Sequence, residues 1–146
     1  MRFMITAGPA DELKGKDETA DAPFDEKLFT AYMKFNEDLM KAGVLIASEG
    51  LNPAGARARV EVSGGKRVLT DGPFTETKEL LGGFYLIEVK SKEEAIQWAL
   101  RCPFGMGSDD VLRIQQMTEL SDLPQDLRDI IAKVAPTWSA SFSKPR

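Results

Sequence analysis

The chain has 146 residues, 42% apolar and 29% charged, with a net charge of −4 and a pI near 5.0. That length suits one domain with a core that needs no covalent staples, and the acidic balance argues against duplex nucleic-acid binding by phosphate neutralisation. A single cysteine, Cys102, rules out an internal disulfide, and the absence of histidine removes the commonest general base, pH switch and metal ligand.

Arg2 to Ala7 reads as a short strand closed by Gly8-Pro9. Its apolar run, Phe3-Met4-Ile5, is too short for a signal-peptide core. Nothing in the chain approaches a membrane span, so a cytoplasmic protein with no membrane partner is expected. Ala10 to Ala22 is charged and poor in apolar residues, as in a surface loop. Asp25 to Ala42 reads as a first helix. Leu28, Tyr32, Phe35 and Leu39 fall on one face of a 3.6-residue period, and Phe29, Met33 and Met40 are expected to widen the stripe. Pro23 suits the helix entrance, Asp25 and Glu26 suit its positive dipole end, and Gly43 suits its exit.

Val44 to Ala47 begins a strand that ends in Ser48-Glu49-Gly50-Leu51-Asn52-Pro53. Arg57, Arg59 and Glu61 then alternate with Ala58, Val60 and Val62, a period of two. Ser63-Gly64-Gly65-Lys66 is a hairpin turn signal, and Arg67 to Thr70 returns as the partner strand. Gly82 to Lys90 is a strongly apolar strand. Ser91 with Glu94 forms a capping box that opens a second helix, whose buried face is expected to hold Ala95, Ile96, Ala99 and Leu100. Cys102-Pro103 ends it, and Val111 to Met117 reads as the last strand. A tail helix follows from Ser121, with Leu127, Ile130, Ile131 and Val134 as its apolar stripe and Pro136 as its stop. Trp138 and Phe142 lie in the polar tail beyond it. Residues 1–120 are therefore expected to form one domain, and 121–146 a helical tail packed across a dimer seam or along a sheet edge, the alternative being that it docks on the helices of its own subunit.

Candidate chemistry sits at strand ends. In Thr70-Asp71-Gly72-Pro73-Phe74-Thr75, Asp71 reads either as a turn residue accepting backbone N–H bonds or as a ligand-binding or catalytic carboxylate. Glu49 precedes Gly50, where backbone can approach a ligand closely. Sharing a site, Glu49 and Asp71 would push each other's pKa values apart, as an acid–base pair requires. Arg57 and Arg59 share a strand face and read either as an anion site or as a polar face pairing with Glu61. Phe74 and Lys78 are further ligand-binding candidates. Cys102 closes a helix, where the dipole disfavours a thiolate. No cofactor and no metal are expected.

Asp71-Gly72-Pro73-Phe74, with Gly43-Val44-Leu45, Glu49-Gly50-Leu51, Gly82-Gly83-Phe84 and Glu93-Glu94-Ala95-Ile96 in order, resembles the YCII-related DGPF family. The resemblance covers Arg2 to Glu119. It implies an α+β, ferredoxin-like two-layer sandwich of the dimeric α+β barrel type, here with an added C-terminal helix. In such a homodimer two sheets face each other. The family has no settled activity. Many relatives are encoded beside sigma factors, which implies a small-molecule-binding or regulatory module with a sigma factor or another protein as partner. The alternative is a small enzyme using Glu49 and Asp71 on a polar metabolite. The histidine–aspartate pair proposed for the wider group has no histidine here. Relatives often carry histidine where this chain has Asn52, Phe104 or Met106, and arginine where it has Gln115.

Overall fold

The computed structural model describes residues 1–9, 25–51, 58–71, 82–104 and 110–142. In chain order the elements are β1 (Arg2–Pro9), α1 (Glu26–Lys41), β2 (Leu45–Gly50), β3 (Ala58–Ser63), β4 (Lys66–Asp71), β5 (Gly83–Glu88), α2 (Lys92–Arg101), β6 (Asp110–Gln116), α3 (Gln125–Val134) and α4 (Pro136–Ser141). A 3-10 turn, Leu120–Asp122, precedes α3. Four strands form one antiparallel sheet in the order β2-β5-β1-β6. β3 and β4 form a separate two-stranded ribbon. The chain is thus a mixed α+β protein.

Alternation along β1 decides which way the sheet faces. Phe3 and Ile5 point into the core, where they join Ile87 of β5, Phe35 and Leu39 of α1, and Ala95 and Ala99 of α2. Both helices cover this one face and meet over it. The Phe35 ring stands edge-on to Tyr85 of β5 at 5.3 Å and tilts against Trp98 of α2 at 6.3 Å. Ile5, Leu39 and Ile87 are the largest fully buried side chains.

The helix ends are held by local chemistry. Asp25 Oδ1 accepts the Leu28 N–H at 3.0 Å and starts α1. At its exit Gly43 takes a φ of +69°, a conformation that costs a residue with a Cβ. There the Val44 N–H donates to the Leu39 carbonyl at 3.1 Å and the Gly43 N–H donates to Met40 at 3.0 Å, a Schellman closure. Val44 and Leu39 are both buried beside that closure. In α2, Ser91 Oγ accepts the Glu94 N–H at 3.1 Å. The Glu94 carboxylate reaches back one residue further than the expected box, accepting the Lys90 N–H at 2.9 Å. Positive φ at Gly64 and Gly65 gives the β3–β4 turn the twist that a two-residue hairpin prefers.

Several expected positions move. Leu100 is 73% exposed, and Trp98 takes its place against the core. Leu100 lies five residues, or about 140°, round the helix from Ala95, whereas Trp98 and Ala99 fall on the same side as Ala95. Phe29, Met33 and Met40 are exposed rather than part of the α1 stripe, because the core contacts the Tyr32–Phe35–Leu39 line. Pro136 marks the end of α3, which stops at Val134 as expected, but a further helix begins at once. Pro136 occupies the first turn of α4, where its missing N–H costs nothing, so Trp138 lies within a helix and Phe142 caps it. The Ala10–Ala22 segment and Pro23 lie outside the described residues.

Gly83 is the tightest point of the sheet. It pairs with Gly50 of β2 and Ala7 of β1, and a Cβ there would lie 2.8 Å from the Glu49 carbonyl oxygen. Backbone cannot yield as a flexible side chain does. Gly83→Ala is expected to destabilise the fold by about 1–3 kcal/mol through overpacking, read as a lower urea midpoint with unchanged slope. An unchanged midpoint would refute the close approach.

Candidate functional site

Residues directly opposite each other in antiparallel strands project from the same face. The register therefore maps the sheet face opposite the helices. One row runs Glu49 (β2), Phe84 (β5), Thr6 (β1) and Arg113 (β6). The next runs Ala47, Leu86, Met4 and Gln115. A third holds Glu88 and Arg2. Neither α1 nor α2 covers this face, since both pack against Phe3, Ile5 and Ile87 on the other.

The first row is the one with chemistry. Glu49 and Arg113 are exposed, while Phe84 and Thr6 are half-buried. Three strand spacings separate the Glu49 and Arg113 backbones, about 14 Å. An acid and a base thus stand at opposite edges of the sheet, with an aromatic ring and a hydroxyl between them. Such a row can hold a molecule with complementary charges at its ends and an apolar middle. Glu49 is the penultimate residue of β2, at the strand end where the sequence placed it. β2 runs on through Gly50, so Glu49 is a paired strand residue opposite Phe84. The pairing of Gly50 with Gly83 extends the ladder to that point.

At the far end of the same face, Arg2 is clasped. Its Nε donates to Glu119 Oε1 at 2.8 Å and its Nη2 to Glu119 Oε2 at 2.9 Å, a bidentate pair. Nη2 also donates to the Thr118 carbonyl at 3.2 Å. The Phe142 ring centroid lies 5.7 Å from the guanidinium carbon. Arg2 is only 8% exposed, so the charge is compensated almost wholly by these groups. The hydrogen bond from Arg2 holds the Glu119 carboxyl below its ordinary range, and the same bond raises the Arg2 guanidinium.

A second polar cluster lies under the helices. Ser48 Oγ donates to Asn36 Oδ1 at 3.4 Å. Burial pushes the Tyr85 phenol up to about 12, against a hydrogen bond with Ser48 that works the other way. Burial also pushes the Cys102 thiol up to about 11, beyond what the helix dipole alone suggested. Among the described residues no three acidic or cysteine side chains gather closely enough to hold a metal ion.

Two other sequence candidates lie on the β3–β4 ribbon. Arg59 lies on the β3–β4 ribbon, its Nε 3.2 Å from Glu61 Oε1, the strand-face pairing that alternation suggested. Asp71 ends β4, its backbone paired with Ala58, and only its backbone is described. Arg57, Phe74 and Lys78 lie outside the described residues. Arg113, Thr6, Phe84, Arg2 and Glu119 were missed. Arg113 carried a signal, since it alternates with Leu112 and Ile114 at a period of two. Arg2 carried a weaker one, a cation opening an otherwise apolar strand.

Comparison with known proteins agrees with the motif reading. The family model of the YCII-related domain matches residues 1–118. The chain belongs to the YCII-related domain family. An uncharacterized protein of Rhizobium meliloti (strain 1021) is 39% identical over 75 residues, 51% of this chain. The match spans 60% of that relative's length. No helix among the described residues of this YCII-related protein is long and apolar enough to cross a membrane.

Two measurements follow from the titrating groups. The folded Glu119 pKa lies below the unfolded value of about 4.3, so its contribution is full above that pH and is lost as pH falls through the folded pKa. Arg2 stays charged throughout and adds no pH dependence. Glu119→Gln is expected to cost about 1.5–3 kcal/mol at neutral pH, with the gap from wild type closing in acid. A gap that stays constant down to about pH 2 would show that the carboxylate charge is not what Arg2 binds. Cys102 is expected to resist iodoacetamide at about pH 8 in the folded state and to react readily in urea. Equal rates in the two states would contradict its burial.

Proposed function

We propose that this YCII-related protein is a small-molecule-binding module that works as a homodimer, with the open sheet faces of two copies turned toward each other. The observation that carries the reading is the Glu49–Phe84–Thr6–Arg113 row on a sheet face that neither α1 nor α2 covers. A face that carries Leu86, Met4 and Phe84 needs a cover, and a second copy supplies one of matching shape. The element order supports the same reading. With the β3–β4 ribbon set aside as an insertion, the chain runs β-α-β-β-α-β with strand order β2-β5-β1-β6, the ferredoxin-like plan.

Between two such faces the row would be shielded from bulk water. Charged contacts to a ligand strengthen there, because the effective dielectric falls. The ligand class that fits is a small molecule with an anionic group for Arg113, a cationic or donor group for Glu49, and a flat apolar middle for Phe84. A sigma factor or another protein that reads the ligand-bound state enters through the family resemblance.

The test is a thermal-shift screen of small zwitterionic and amphoteric compounds, followed by calorimetry on any that stabilise the protein. Glu49→Gln and Arg113→Gln alter exposed side chains, so each is expected to leave the unliganded melting temperature within about 1–2 °C. Each is expected to weaken binding of the selected compound at least tenfold. A compound bound with full affinity by both variants would move the site off this face.

A further inference from the structure

The tail has an apolar surface that its own chain leaves uncovered. Leu127 and Ile130 of α3 are 43% and 55% exposed, Val134 at its end is 75% exposed, and Trp138 of α4 is 54% exposed. A ten-residue helix is marginal in water without packing. α3 also lacks a side-chain cap, since Pro124 stands at its N-cap. Packing of the stripe must therefore stabilise it.

Where the tail is fastened indicates what packs there. Arg2 grips both of its ends, through Glu119 and Thr118 before α3 and through Phe142 after α4. Trp138 stands edge-on to Phe142 at 4.8 Å, which ties α4 to the same clasp. Arg2 shares the open sheet face with Met4 and Thr6, one row beyond Leu86 and Met4. The tail is thus an arm rooted on the face that the homodimer reading turns toward a second copy.

We infer that α3 and α4 form an arm that packs on the second copy of the chain, extending the contact between the open sheet faces; the inference rests on the dimer reading above. Area supports this occupant. Four strands of about six residues give a face of roughly 20 Å by 20 Å, about 400 Å² of flat area. A stable pairing buries about 800 Å² per partner. An arm helix about 15 Å long and about 10 Å wide, with a Trp that buries up to about 200 Å², brings the surface near that size. The charge pattern disfavours a lipid surface. Asp126 and Asp129 balance Arg128 and Lys133 on α3, whereas interfacial helices carry an excess of Lys and Arg. In a two-fold pair the same arm is used twice, so each stripe residue counts in both halves.

Sedimentation velocity over a concentration series tests the arm on the full chain. Wild type is expected to dimerise. Leu127→Ser/Ile130→Ser and, separately, Val134→Ser are expected to raise the dimer dissociation constant at least tenfold. Leu100→Ser, an equally exposed apolar change on α2, is expected to leave it unchanged. Circular dichroism of the Val134→Ser variant, whose side chain makes little contact within its own chain, is expected to show a folded protein. A wild-type dimer that both stripe variants leave as tight overturns the arm and leaves the facing-sheet dimer standing. A monomeric wild type overturns both. Equal weakening by Leu100→Ser overturns the arm, because the effect would then follow surface hydrophobicity in general.

Discussion

The pairing of β1 with β5 sets the rest of the molecule, because each strand shows a different residue set on each side. In β1 the helix side takes Phe3 and Ile5, and the open side takes Arg2, Met4 and Thr6. In β5 the helix side takes Tyr85 and Ile87, and the open side takes Phe84, Leu86 and Glu88. A slip of one residue would exchange these sets and put Arg2 and Glu88 under the helices. The fully buried Ile5, Ile87 and Leu39 forbid that slip. Two helices can cover one face of a four-stranded sheet. Among the described side chains, the charged ones of the four-stranded sheet that the register maps, Arg2, Glu49, Glu88 and Arg113, therefore lie on the other face.

Much of this was legible in the sequence, and the reason is periodicity. The Leu28–Tyr32–Phe35–Leu39 line, the Gly64-Gly65 hairpin and the Ser91 cap each rest on a local rule that tertiary context did not override. What failed was the width of the helical stripes. Phe29, Met33, Met40 and Leu100 are apolar, yet exposed. Apolar side chains are often exposed in folded proteins, so hydrophobicity alone cannot set the edge of a stripe. Only the partner surface sets it, and that surface is assembled from β1, β5 and β6, far away in the chain.

The site was less legible for a related reason. The sequence marks Glu49 and Asp71 because they sit beside Gly and Pro, the residues that reshape backbone. Strand register joins Glu49 to Phe84, Thr6 and Arg113. Register is a long-range property, and no local word encodes it. The Arg2–Glu119 pair spans almost the whole chain in the same way, its members 117 positions apart. Both findings required the order β2-β5-β1-β6 before any residue could be given neighbours.

On the proposed reading, ligand binding and dimer formation are one equilibrium seen from two sides. Glu49 and Arg113 face solvent in the single chain, where water screens their fields and competes for their hydrogen bonds. A partner that covers the face removes that competition. A ligand held between two sheets then contributes to the affinity of the sheets for each other, and by linkage the paired sheets raise affinity for the ligand by the same factor. The arm enters this linkage at its root. Arg2 ties α3 and α4 to the sheet that carries the row, so a change in how that sheet is covered is transmitted to the tail through one guanidinium and one carboxylate. A module built this way needs no histidine and no nucleophile to act as a sensor. It needs a face that is costly to leave open, a charged row that selects what closes it, and a tail whose packing reports that closure.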